Sequence, residues 1–314
     1  MAHLCIPIGP SSVPKSILPV PTRYRRILDS CAPYVVTSIH QSALAVAHLP
    51  AGIDMPPALH INPLTVGSQP FLDILQRLDE LSFGPHDLRM PRWAFYDCAE
   101  MPGGIFGFAR RAADVPDWAR RTLGVDENYS GAVPLSMYMA IPMLEPGAWL
   151  GHSLCSLDEV VHGAAPANLA LLTQAMGLQL FGVHTAYGAT QWRSWQLAVS
   201  ARFAPLELVT AWTPAHSDPR TVTFRFPVST ALIEQALASE SPESGQPADT
   251  PAHRPALPAH SSIRWVDCDE DDDLRRLQAD IENGRRFYIV GAPAVDGSYT
   301  RVPVCEGAPH EEAA

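Results

Sequence analysis

Apolar residues recur at two different spacings along this chain of 314 residues, and the spacing separates helical from extended segments. Phe71, Leu72, Leu75 and Leu78 fall at helical intervals; Pro70 suits a first turn and Ser68 a cap, so a helix is predicted running into Phe83-Gly84. The aromatic-rich runs Trp93–Cys98 and Gly104–Ala109 flank a Pro-Gly turn and predict an antiparallel hairpin, with a short helix near 115–123 after it. A longer alternation then fills 134–228. It comprises an apolar strand (134–142), a turn through Glu145–His152 into a helix, a strand-like run (178–185), and a helix (191–203). In that last helix Trp192, Trp195 and Val199 stand three and four residues apart behind a Thr190 cap. Strands at 206–212 and 221–226 about a turn at 213–219, then a short helix at 229–237, close the unit.

The flanks carry weaker patterns. Prolines 7, 10, 14, 19 and 21 make residues 1–22 an extended arm, 24–31 suits a short helix, and 34–48 suits either strand or helix. Residues 238–262, rich in Ser, Pro, Ala and His, hold too few apolar positions to pack and predict a flexible linker. Beyond them a small appendage at 263–306 is expected, with strands at 263–266 and 287–290 around a helix at 272–283, and then a disordered tail at 307–314. The fold class is therefore α/β: a core over 23–237 with a central mixed, mostly antiparallel sheet flanked by helices.

Composition narrows the function classes. A 46% apolar share fits a globular protein, and a net charge of −11 argues against nucleic-acid or anionic-membrane partners, which need clustered Lys and Arg. A neutral or cationic small molecule, or a protein partner, is easier to accommodate. The six cysteines form no CxxC pair and suggest reduced thiols. The N-terminal sequence has no basic segment followed by an apolar run, and no stretch reaches membrane-spanning length, so a cytoplasmic location is expected.

The order helix, hairpin, strand, glycine turn, helix, strand, helix, strand pair resembles the GNAT (acyl-CoA N-acyltransferase) superfamily over about 71–228. The resemblance implies a GNAT-like fold and acyl transfer from a thioester donor, acyl-CoA or an acyl carrier protein, to an amine of a small molecule. It also implies that a central strand, here 135–143, leads into a turn and helix N-terminus holding the donor's pyrophosphate. Met143, Gly147, Trp149, Gly151 and Ser153 would line that cradle. The turn departs from the family pattern: Glu145 and Pro146 stand where a basic residue and free amides would serve a phosphate. The family's late acidic tyrosine also has no counterpart in 198–203.

Acyl transfer requires a base for the amine, a donor to the thioester oxygen and an acid for the departing thiol. His184 as base and Tyr187 as acid, at the end of the 178–185 run, are the preferred pair; a hydrogen-bonded core histidine is the alternative. His152 is a second base candidate, with capping or packing as its alternative, and Asp97 or Glu100, beside Tyr96 and Cys98 in the hairpin, a third. An inert ligand-binding or interaction protein on the same fold is the rival reading. A third is an iron- and 2-oxoglutarate-type oxygenase using His216, Asp218 and His253 or His260, although His-x-Asp spacing arises readily by chance. The preferred reading requires no metal. His152 with Cys155 is half of a zinc site without a second pair, and the acidic run 267–273 suits a helix start better than a calcium loop.

Overall fold

A computed structural model describes residues 21–37, 59–86, 88–94, 97, 104–216, 218–238, 263–296 and 299–307. The expected arm at 1–20, linker at 239–262 and tail at 308–314 lie outside the described residues. Contacts group the chain into two compact units, Met1–Val183 and His184–Ala314.

In the first unit, helix α1 (Thr22–Ser30) leads into strand β1 (Ala32–Val36), which pairs in parallel with β2 (Leu59–Ile61) and antiparallel with β3 (Gly104–Arg111). Strands β4 (Ala132–Pro134) and β5 (Ser136–Pro142) both pair with β3, and β5 pairs with β6 (Ala148–Ser156), giving the order β2-β1-β3-β5-β6. Helix α2 (Gln69–Phe83) buries Phe71, Leu72, Ile74, Leu75 and Leu78, the face its periodicity predicts. Ser68 makes no capping hydrogen bond; its hydroxyl pairs with Thr65 instead. Short helices α3 (Asp117–Thr122) and α4 (Leu157–Val160) follow β3 and β6. Helix α5 (Leu169–Leu180) covers the sheet face opposite α2. Tyr138 lies against Gly177 and Ser136 bonds Thr173 on the α5 side, whereas Tyr34 stacks edge-on with Phe71 on the α2 side.

In the second unit, β7 (Thr185–Gln191), β8 (Leu206–Thr210) and β9 (Thr221–Pro227) are joined by β11 (Arg286–Ile289), β13 (Tyr299–Gly307) and β10 (Ile263–Asp267) in the order β7-β9-β8-β11-β13-β10, with β12 (Ala294–Asp296) paired to β13. All these pairings are antiparallel. Helices α6 (Trp195–Ser200), α7 (Thr230–Ala238) and α8 (Asp271–Glu282) complete it. The strands after residue 263 thus pair directly with β8 through β11.

Four local expectations are corrected. Residues 92–94 are helical, so the described part of the first expected hairpin strand is not extended. No helix starts at Ser153, which lies within β6. Only 178–180 of the 178–185 run are helical, as the end of α5; the chain then turns at 181–182 and enters β7 at Thr185. This helix is buried nearly all round, so its apolar residues show no face-specific period, and its last turn looks like a buried strand. Only 195–200 of the predicted 191–203 helix is helical: Ser194 accepts from the Gln196 amide as its cap, and Trp192, before it, donates to the Ala211 carbonyl at 2.9 Å.

Candidate functional site

The residues expected to cradle a phosphate form the β5–β6 hairpin. Pro146 followed by Gly147 at φ 78° suits the two central positions of a type II turn, closed by the Ala148 amide on the Glu145 carbonyl at 3.0 Å. Met143 and Gly147 therefore belong to a hairpin end, Trp149 stacks on Phe181 at 5.3 Å, and Gly151 lies where a Cβ would come within 2.9 Å of the Tyr138 hydroxyl. Their arrangement as a turn leading into a helix is corrected, because no helix N-terminus follows the turn. The misfit of Glu145 and Pro146 with a phosphate is accounted for by the hairpin they build.

The strand that does lead through a glycine turn into a helix is β6. Its register slips where Met139 faces Ser153 and Ala140 faces Gly151, leaving His152 as the extra residue of a β-bulge. Bulges interrupt a ladder and re-aim a side chain, and they concentrate beside active sites. The His152 side chain reaches solvent, its Nδ1 lies 3.2 Å from the Ser153 hydroxyl, and burial against the surrounding protein lowers its proton affinity.

Beyond β6 and α4 the chain turns through Gly163 at φ 78° and Asn168 at φ 64°, the one non-glycine residue with positive φ among the described residues. Asp158 accepts from the Gly163 amide at 2.8 Å and holds the turn. Ala164 and Ala165 are buried, and α5 begins with no side-chain cap. The amides of Leu169, Ala170 and Leu171 have no partner within a helix, and the dipole of the 12-residue α5 favours negative charge at that end. Glu159 stands in α4, its carboxyl pushed up by burial and then by neighbouring Asp158. Sequence reasoning passed over this turn and Glu159. The 163–168 stretch, with its glycine and small residues just before an apolar run, was the available signal.

The other candidates are dispersed. Asp97 is exposed, while Tyr96, Cys98 and Glu100 lie outside the described residues. His184 and Tyr187 belong to the second unit. His184 is exposed just before β7, and its carbonyl accepts from the Val228 amide at 2.7 Å. Tyr187, on β7, has its hydroxyl 3.5 Å from Arg225 Nη1, and Arg225 makes a bidentate pair with Glu207 at 3.0 Å on both arms. His216 and Asp218 are engaged in their turn: the Asp218 amide donates to His216 Nδ1, and Asp218 accepts from Arg220 and Gln191. His253 and His260 lie outside the described residues. Among the described residues no group of three or more His, Cys, Asp or Glu is placed to hold a metal ion, and no helix is long and apolar enough to cross a membrane.

No protein-family model matches the sequence, and no curated protein matches it. Among solved structures the chain is similar to "the putative acyl-CoA N-acyltransferase from Klebsiella pneumoniae subsp. pneumoniae", with 12% identity and a TM-score of 0.28, over 50% of this chain and 90% of that one.

Proposed function

We propose that this protein transfers an acyl group from a thioester donor to an amine of a small molecule. The observation that carries the reading is the sequence of features along one stretch: a bulged strand, a turn with two positive-φ residues, and a helix whose first amides are uncapped. The amides of 169–171 and the α5 dipole would receive the pyrophosphate of a coenzyme A or the phosphate of a carrier protein's phosphopantetheine. Amides freed at the bulge would meet the thioester carbonyl and stabilise its developing charge.

His152 is the base this reading favours within the first unit. Its lowered proton affinity keeps the imidazole neutral at pH 7, ready to take the amine's proton. Glu159, whose carboxyl is pushed up, is a second base. His184 and Tyr187 remain proposed as a base and acid pair, and Asp97 and Glu100 as alternatives.

The reading is tested by titrating the full chain with acyl-coenzyme A, and separately with an acylated carrier protein. Turnover against a panel of primary amines follows. His152→Ala should lower kcat about a hundredfold or more while leaving donor affinity nearly unchanged. Saturable donor binding with no turnover on any amine would favour the inert binding protein; absence of binding to either donor would remove the proposal.

A further inference from the structure

We propose that the second unit carries an oxyanion-binding platform built from Tyr187, Arg225, Arg286 and Tyr288 around Glu207. The strand register puts these groups in one row: Tyr187 faces Arg225, Arg225 faces Glu207, and Glu207 faces Tyr288 across β7, β9, β8 and β11. Directly paired residues share a sheet face, and Arg286, two residues from Tyr288, lies on that face too. The opposite face is apolar, holding Phe224, Phe226, Leu208 and Phe287, all buried.

The charges on this row do not balance. Glu207 takes Arg225 in a bidentate pair at 3.0 Å, and Arg286 reaches the same carboxylate only at 4.0 Å. Two guanidinium groups thus share one carboxylate. The adjoining positions on this face, Thr223, Ala189 and Cys305, carry no charge, in a protein whose net charge is −11. The hydroxyl of Tyr187 stands beside Arg225 and that of Tyr288 beside Arg286. The side chains are part-buried, with Arg225 38%, Arg286 36% and Glu207 20% exposed, so both cations remain accessible. A single oxyanion, a carboxylate or a phosphate at the end of a small molecule, would draw on the guanidinium that Glu207 holds loosely and on the two phenol donors. This platform does not rest on the acyl-transfer reading.

The test is a titration of the full chain with inorganic phosphate, and separately with acetate, at constant ionic strength. It is followed through the Nε–Hε resonances of Arg225 and Arg286, which separate this site from any anion bound at α5. Saturable shifts of both resonances are expected, with phosphate and acetate distinguishing the preferred oxyanion. Arg286→Gln should weaken binding about fivefold or more, whereas Arg285→Gln should not, since Arg285 is paired with Glu306 and Asp280. Glu207→Gln should tighten it, because the competing carboxylate is gone. A row of purely structural ion pairs predicts the reverse: no saturable shift with either anion, and Glu207→Gln without gain. Either result overturns the proposal, and Arg286→Gln, which leaves the Glu207–Arg225 pair intact, decides it should Glu207→Gln fail to fold.

Discussion

The carboxyl of Asp79 is buried on α2, where Oδ2 accepts from the Met90 amide at 2.7 Å and Oδ1 has no hydrogen-bond partner. Desolvation outweighs that hydrogen bond and pushes its pKa up to about 6. The same side chain, after burial, pushes up the thiol of Cys155. The folded state therefore binds this proton more tightly than the unfolded chain. Its stabilising effect is complete below about pH 4 and is lost as pH rises through about 6, a swing of about 3 kcal/mol. Urea unfolding of wild type and Asp79→Asn from pH 4 to 8 checks it. The difference between the two should shift in favour of the variant as pH rises, and a pH-independent difference would contradict the assignment. No pattern in the sequence reveals this group, because Asp79 follows Leu78 on a helix whose polar positions look solvated; the fold encloses it, with the Met90 amide on its carboxylate and Cys155 near by.

At the scale of elements, α5 depends on close approach to the sheet. A Cβ on Gly177 would stand 2.5 Å from Cδ1 of Tyr138, whose ring is fully enclosed, so Gly177→Ala should destabilise by about 1–3 kcal/mol through overpacking. Leu75→Ala on α2 acts in the opposite sense, leaving a cavity, and should cost about 2–5 kcal/mol. Denaturant midpoints measure both. Helix α2 and strands β5, β8, β9, β10 and β11 were legible because each has one buried face or a compact apolar run between turn residues. Helix α5 was not, since an element buried on every side has no amphipathic period. Neither was β6: its Gly151, His152 and Ser153 look like a turn and cap, and only pairing with β5 extends them. Reading 151–153 as a turn and cap placed a helix start within β6, whereas the helices begin at Leu157 and Leu169.

Across the whole molecule, the sequence indicated an α/β protein with a mostly antiparallel sheet, and each unit has such a sheet flanked by helices. The second unit's row of Tyr187, Arg225, Glu207 and Tyr288 draws on strands nearly a hundred residues apart, so only Tyr187 could be singled out beforehand. The acidic start of α8 was legible: Asp271, Asp272 and Asp273 occupy its first turn, where carboxylates suit the helix dipole. The proposed acyl transfer rests on donor recognition at the start of α5, and a carboxylate placed there by Ala167→Asp should weaken the donor about tenfold without changing the fold. The most direct measurement is the melting temperature of the full chain against increasing acyl-coenzyme A, or acylated carrier protein, for wild type and Ala167→Asp. The account predicts a rise for at least one donor that grows with the logarithm of its concentration above Kd, about 2.7 kcal/mol of added stability at a hundredfold excess, with the curve displaced to higher concentration in the variant. No rise with either donor, or a rise identical in the two proteins, would contradict it.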